Sequence, residues 1–141
     1  MAYRGQNGLR ADGAGGRINV VIHALCEPGD EVIIFAAFFA EYLFYAANHG
    51  AKAITVGCDR AFTPDMAELE SKITPRTRVV MINSPNNPSG AVYGAELIER
   101  LAALLRRKSD ELGTAIYLVS DEPSRKISFD QRAYPFPPLA S

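Results

Sequence analysis

At 141 residues and 48% hydrophobic content, the chain is long enough for one domain with a sizeable core. Its 15 basic and 16 acidic residues leave a net charge of −1, which excludes the basic footprint of a nucleic-acid binder and the composition of a disordered tail. No segment approaches membrane-spanning length, and Met1 to Gln6 lacks the apolar core of a signal peptide. Cys26 and Cys58 have neither metal-ligand spacing nor a disulfide framework, which points to a reducing, cytoplasmic setting. The densest basic cluster, Arg106-Arg107-Lys108, falls near a predicted helix end, where it complements the macrodipole.

In chain order, strands and helices alternate. Ile18 to Leu25 reads as a helix with Ile18, Val21, Ile22 and Leu25 on one face, ended by Glu27-Pro28-Gly29-Asp30. Glu31 to Phe35 is a short apolar strand, Phe39 to Asn48 a helix stopped by Gly50, and Lys52 to Val56 the next strand. Asp65 to Lys72 reads as a short helix, with Thr63 as its cap and Pro64 in the first turn. After Thr74-Pro75 comes the strand Arg78 to Ile82. The longest helix, Ala95 to Leu112, turns Leu97, Ile98, Leu101, Leu104, Leu105 and Leu112 to the core and ends at Gly113; the strand Ala115 to Val119 follows. Near-continuous apolar strands separated by helices predict an α/β fold, a mostly parallel sheet with helices on both faces.

The expected organisation is a single partial domain over 1–141, truncated on both sides, with 1–12 and 131–141 as irregular tails. Met1 to Asp12 is polar and glycine-rich where a first strand belongs, and Ala133 to Leu139 is proline-bound. An ordinary flexible tail at each end is the competing reading.

Four features carry chemistry. Asp12-Gly13-Ala14-Gly15-Gly16 lies directly before the first predicted helix, where small residues and free N–H groups suit a phosphate, although such turns are also purely structural. Ala37 to Tyr42 follows a strand and offers rings that stack on a flat heterocycle or simply open a helix in the core. Asn87, in Ser84-Pro85-Asn86-Asn87-Pro88-Ser89-Gly90, presents an amide that suits a phenolate oxygen, or is a turn residue. Asp121, in Ser120-Asp121-Glu122-Pro123, presents a carboxylate that suits a protonated ring nitrogen, or caps a helix. The last three sit at strand carboxyl ends, where open parallel sheets bind ligands, and the glycine-rich turn is expected to face the same cleft.

Taken together, their order resembles the class I and II aminotransferases, the fold-type I pyridoxal-phosphate enzymes, from about Gly13 to Phe129. The likeness is closest in Asn19-Val20-Val21, Glu27 to Val32, Ile73-Thr74-Pro75 and the Ser84 to Gly90 loop. The resemblance implies an incomplete aminotransferase large, cofactor-binding domain that takes pyridoxal 5′-phosphate. It implies further that Ala14 and Gly15 hold the phosphate, Phe39 stacks on the pyridine ring, Asn87 bonds the 3-oxygen and Asp121 pairs with the ring nitrogen. An amino acid and a 2-oxo acid are the implied substrates, and a homo-oligomer the implied assembly.

The family's Schiff-base lysine has no counterpart among Lys52, Lys72, Lys108 and Lys126, so no catalytic residue is assigned and the chain alone is expected to be inactive. Ser124 stands where the family usually has a tyrosine, and Ala37 where a proline is common. Two rivals stand beside the aminotransferase reading. One is a non-catalytic binding or interaction domain derived from this fold; the other is an unrelated α/β phosphate-binding protein, in which Asn87 and Asp121 lie far apart. Finally, Ala115 to Val119 is expected to be a sheet edge exposing Ile116 and Leu118, a surface that favours self-association.

Overall fold

Four short apolar runs form one parallel sheet, in the order β2-β1-β3-β4, in a computed structural model that describes residues 13–122. The strands are β1 (Glu31–Phe35), β2 (Lys52–Val56), β3 (Thr77–Asn83) and β4 (Tyr117–Asp121). The helices α1 (Gly13–Leu25), α2 (Glu41–Asn48), α3 (Met66–Lys72) and α4 (Ala95–Leu112) supply the crossovers that parallel pairing requires. Because successive side chains point to opposite faces, the central strands feed two cores. Val32, Ile34, Val79 and Met81 pack with Ile18, Ile22, Tyr42 and Ala46 of α1 and α2. Ile33, Phe35, Val80 and Ile82 pack with Leu69 of α3 and with Ile98, Leu101, Leu104 and Leu105 of α4. Full burial of each such side chain contributes about 1.5–3 kcal/mol, so the two-faced pattern of β1 and β3 holds the sheet centre.

Several boundaries differ from the sequence expectation. The first helix begins at Gly13, not Ile18, so the expected glycine-rich turn is helical. Glycine in a helix costs only about 1 kcal/mol per residue, which packing of Ile18 and Ile22 outweighs. Gly15 lies close under α2: a Cβ there would stand 2.2 Å from the Tyr45 hydroxyl, so that side chain would have to shift. The second helix starts at Glu41, leaving Phe39 on the connecting segment. At α3 the cap is Asp65, whose Oδ1 accepts from the N–H groups of Ala67 (3.0 Å) and Glu68 (2.9 Å); Thr63 and Pro64 precede the helix. Residue for residue, α4 matches, with Gly113 in the left-handed conformation at its end (φ 64°).

β4 is displaced two residues along the chain and lies at a sheet edge among the described residues. Ile116 and Leu118 are not its exposed residues. They pack, partly buried, against the α4-side core, and Tyr117 is the exposed one. The expectations for Met1 to Asp12, Ser124, Lys126 and the proline-rich stretch fall outside the described residues.

Candidate active-site cleft

Because β1, β3 and β4 are neighbours, the segments leaving their carboxyl ends converge. They enclose a cleft of about 270 Å³. Gly15, Phe39, Asn87 and Asp121, four of the five residues expected from sequence, all line it. Ala14 is the residue before Gly15, in the first turn of α1. The convergence excludes the reading in which Asn87 and Asp121 lie far apart.

Asp121 ends β4, opposite Asn83 in the β3 register. Its Oδ2 accepts from the Tyr42 hydroxyl at 2.5 Å, and Oδ1 has no partner among the described residues. Burial pushes the Asp121 carboxyl above the ordinary carboxylate range; the Tyr42 hydrogen bond opposes that and the Glu122 charge adds to it. Tyr42 is itself buried on α2, and burial together with the Asp121 carboxylate drives its hydroxyl far up, so it stays a donor. Phe39 stands in a T-shaped contact with Tyr42, ring centroids 5.9 Å apart at 78°, and is partly exposed where it lines the cleft.

The loop after β3 is tied down on both sides. The Asn87 backbone N–H donates to Asn83 Oδ1, whereas the Asn87 side-chain amide has no partner among the described residues. Asn86 Nδ2 donates to the Ala37 carbonyl (3.0 Å) and to Ser89 Oγ (2.6 Å), joining the loop to the segment that carries Phe39. Ala37 adopts φ 61°, a left-handed conformation that a proline ring cannot reach. The alanine is therefore a local adjustment of this connection, not an equivalent of the family's proline.

Sequence reading assigned no role in the cleft to Tyr45, Glu41 or Asn83, and took Tyr42 only as one of the rings of the Ala37 to Tyr42 segment, not as a hydrogen-bond donor. Tyr45 donates its hydroxyl to Glu41, which raises its own pKa to about 12, and its tip rests on Gly15. That pair places a carboxylate beside the first turns of α1. A polar residue at the end of an otherwise apolar strand was the available signal for Asn83; Tyr42 looked like any core aromatic. Among the described residues no lysine lines the cleft. Lys72 bonds Glu68 and the Thr55 carbonyl, and Lys108 pairs with Glu111 on α4. No helix among the described residues is long and apolar enough to cross a membrane.

A sequence profile described as aminotransferase class I and II matches residues 6–122. The aspartate/prephenate aminotransferase of Thermus thermophilus is 38% identical over 104 residues, 72% of this chain and 26% of that protein. The alanine aminotransferase of Mycobacterium tuberculosis is 33% identical over 115 residues, 80% of this chain and 25% of that protein. Among solved structures, an aminotransferase from Eubacterium rectale superposes with a TM-score of 0.85 at 41% identity, covering 88% of this chain and 32% of that one. The aspartate aminotransferase of Thermus thermophilus with maleate gives 0.71 at 36% identity, covering 78% and 28%. The chain thus spans about a quarter of the length of these curated relatives.

Proposed function

The chain belongs to the class I and II aminotransferases, and from that premise we propose that its cleft is the pyridoxal 5′-phosphate-binding half of a transaminase site. The observation that carries the proposal is the meeting of the Phe39 ring, the Asn87 amide and the Asp121 carboxylate around one cleft. The donor set fits the group, since Asp121 Oδ1 and the Asn87 amide are both uncommitted among the described residues. When bound, the cofactor supplies an electron sink for a carbanion on the substrate.

The chain's residues bind and orient. Asp121 holds a proton on the ring nitrogen through a charge-assisted hydrogen bond. Its carboxyl, raised by burial, is drawn back down by the adjacent cation, so ligand and side chain keep each other charged. Asn87 donates to the 3-oxygen, Phe39 covers one ring face, and the free N–H groups at the start of α1, around Ala14 and Gly15, face the phosphate. Glu41 works against the phosphate by like charge, softened by the proton that Tyr45 shares with it. The activity proposed for the whole protein is amino-group transfer between an amino acid and a 2-oxo acid, in a cytoplasmic setting supported by the two free cysteines. Leu43 and Phe44, exposed on α2, support self-association as a homo-oligomer.

A second reading is a non-catalytic ligand-binding domain derived from this fold, which would use the same contacts without amino transfer. Fluorescence titration of the 141-residue chain with pyridoxine 5′-phosphate, which forms no covalent bond to lysine, tests the cleft common to both. The expected result is saturable one-to-one binding, weakened about tenfold in Asn87→Ala by loss of one hydrogen bond to a charged oxygen. No binding, or equal binding by the variant, refutes the assignment. Amino transfer between amino and 2-oxo acids, assayed in the protein that contains this chain, separates the enzyme from the binding domain.

A further inference from the structure

β3 runs Val79, Val80, Met81, Ile82 with every side chain buried, and then places a primary amide, Asn83, 6% exposed, at its end. An amide withdrawn from water without partners is costly, so its partners show what the position demands. Asn83 uses both ends. Its Oδ1 accepts from the backbone N–H of Asn87, and its Nδ2 donates to the backbone carbonyl of Asp121 at 2.9 Å. The same amide lies beside the Tyr42 hydroxyl that holds the Asp121 carboxylate. One side chain therefore joins the loop bearing Asn87 to the strand end bearing Asp121, and no described contact ties those two residues directly.

We infer that Asn83 is the positioning residue that sets the separation between the Asn87 amide and the Asp121 carboxylate, an inference that rests on the cofactor reading above. The residue type follows from the task. Aspartate has the acceptor but not the donor, leucine neither, and serine is too short to span both partners. A planar ring demands this control, because its 3-oxygen and its nitrogen are rigidly spaced. If the loop and the strand end drift apart, only one contact at a time keeps hydrogen-bond geometry.

The test compares two probes on the 141-residue chain: pyridoxine 5′-phosphate, and its 1-deaza analogue, in which a C–H replaces the ring nitrogen. The native chain prefers the nitrogen ring through Asp121. In Asn83→Ala the preference shrinks about tenfold, the scale of one hydrogen bond to a charged group. Asn83→Ser, which keeps a small polar group and guards against failure to fold, shrinks it in the same direction. Thermal unfolding of each variant is measured alongside. If both probes weaken by one common factor, Asn83 merely stabilises the fold and the inference is overturned. If Asp121→Asn leaves the native preference intact, the cofactor reading itself fails, whatever Asn83 does.

Discussion

Replacing Asp121 by asparagine should strengthen the fold and weaken the cleft. The substitution keeps the shape and an oxygen that can accept from the Tyr42 hydroxyl now 2.5 Å away, and it removes only the charge. The Asp121 carboxyl is held above its ordinary value of 3.8, chiefly by burial. A carboxyl raised in the folded state binds protons more tightly there than in the unfolded chain. Its contribution to stability is thus fully present below pH 3.8 and is lost as pH rises through the folded pKa. At neutral pH the ionised, half-buried carboxylate is a net cost, which the asparagine removes. Thermal unfolding should therefore give a higher Tm for Asp121→Asn at pH 7 and no such advantage below pH 3.8. Binding runs the other way. Loss of a hydrogen bond to a charged group costs about 1.5–3 kcal/mol, or about 10- to 150-fold in affinity for pyridoxine 5′-phosphate. A variant less stable at pH 7, or one that binds as tightly as the native chain, would refute the reasoning.

Two further substitutions probe the connections around the cleft. Ala37 sits at φ 61°, so Ala37→Gly should raise stability by about 1 kcal/mol by relieving left-handed strain, and Ala37→Pro, with φ fixed near −65°, should lower it sharply; chemical denaturation measures both. Glu41 Oε2 lies 3.6 Å from where a Cβ on Gly15 would stand. Glu41→Gln should tighten pyridoxine 5′-phosphate binding severalfold, since a like charge a few ångströms from a phosphate costs about 1 kcal/mol even in water-like surroundings. Titration at low and high salt should show the gain shrinking as screening rises.

The architecture and most of the cleft are readable from residues because both depend on strand ends. Apolar runs such as Glu31–Phe35 and Lys52–Val56 leave little choice but strand, and polar residues just beyond them fall at the carboxyl edge. Phe39, Asn87 and Asp121 were found for that reason, and sheet order brings them together. Gly15 was read, within a glycine-rich turn, as a small residue that lets the backbone approach a phosphate; that it also lies under the Tyr45 tip is a contact that needs the third dimension. Asn83, and the hydrogen-bonding use of Tyr42, were missed for a related cause. Both have partners distant in sequence, Asp121 in each case, and nothing local separates a core tyrosine from one that aims its hydroxyl at a carboxylate. The shift of β4 to Tyr117–Asp121 has the same origin, since pairing with Val79 to Asn83 sets its register and local propensity does not.

Nitrogen NMR of pyridoxine 5′-phosphate carrying a labelled ring nitrogen, bound to the 141-residue chain, puts the central claim to its most direct test. The measurement is made above the pH at which the free ring loses its proton. If Asp121 pairs with the ring, the bound nitrogen keeps the pyridinium signal and loses it in Asp121→Asn. A bound ligand whose nitrogen reads as unprotonated in the native chain would contradict the assignment of this cleft.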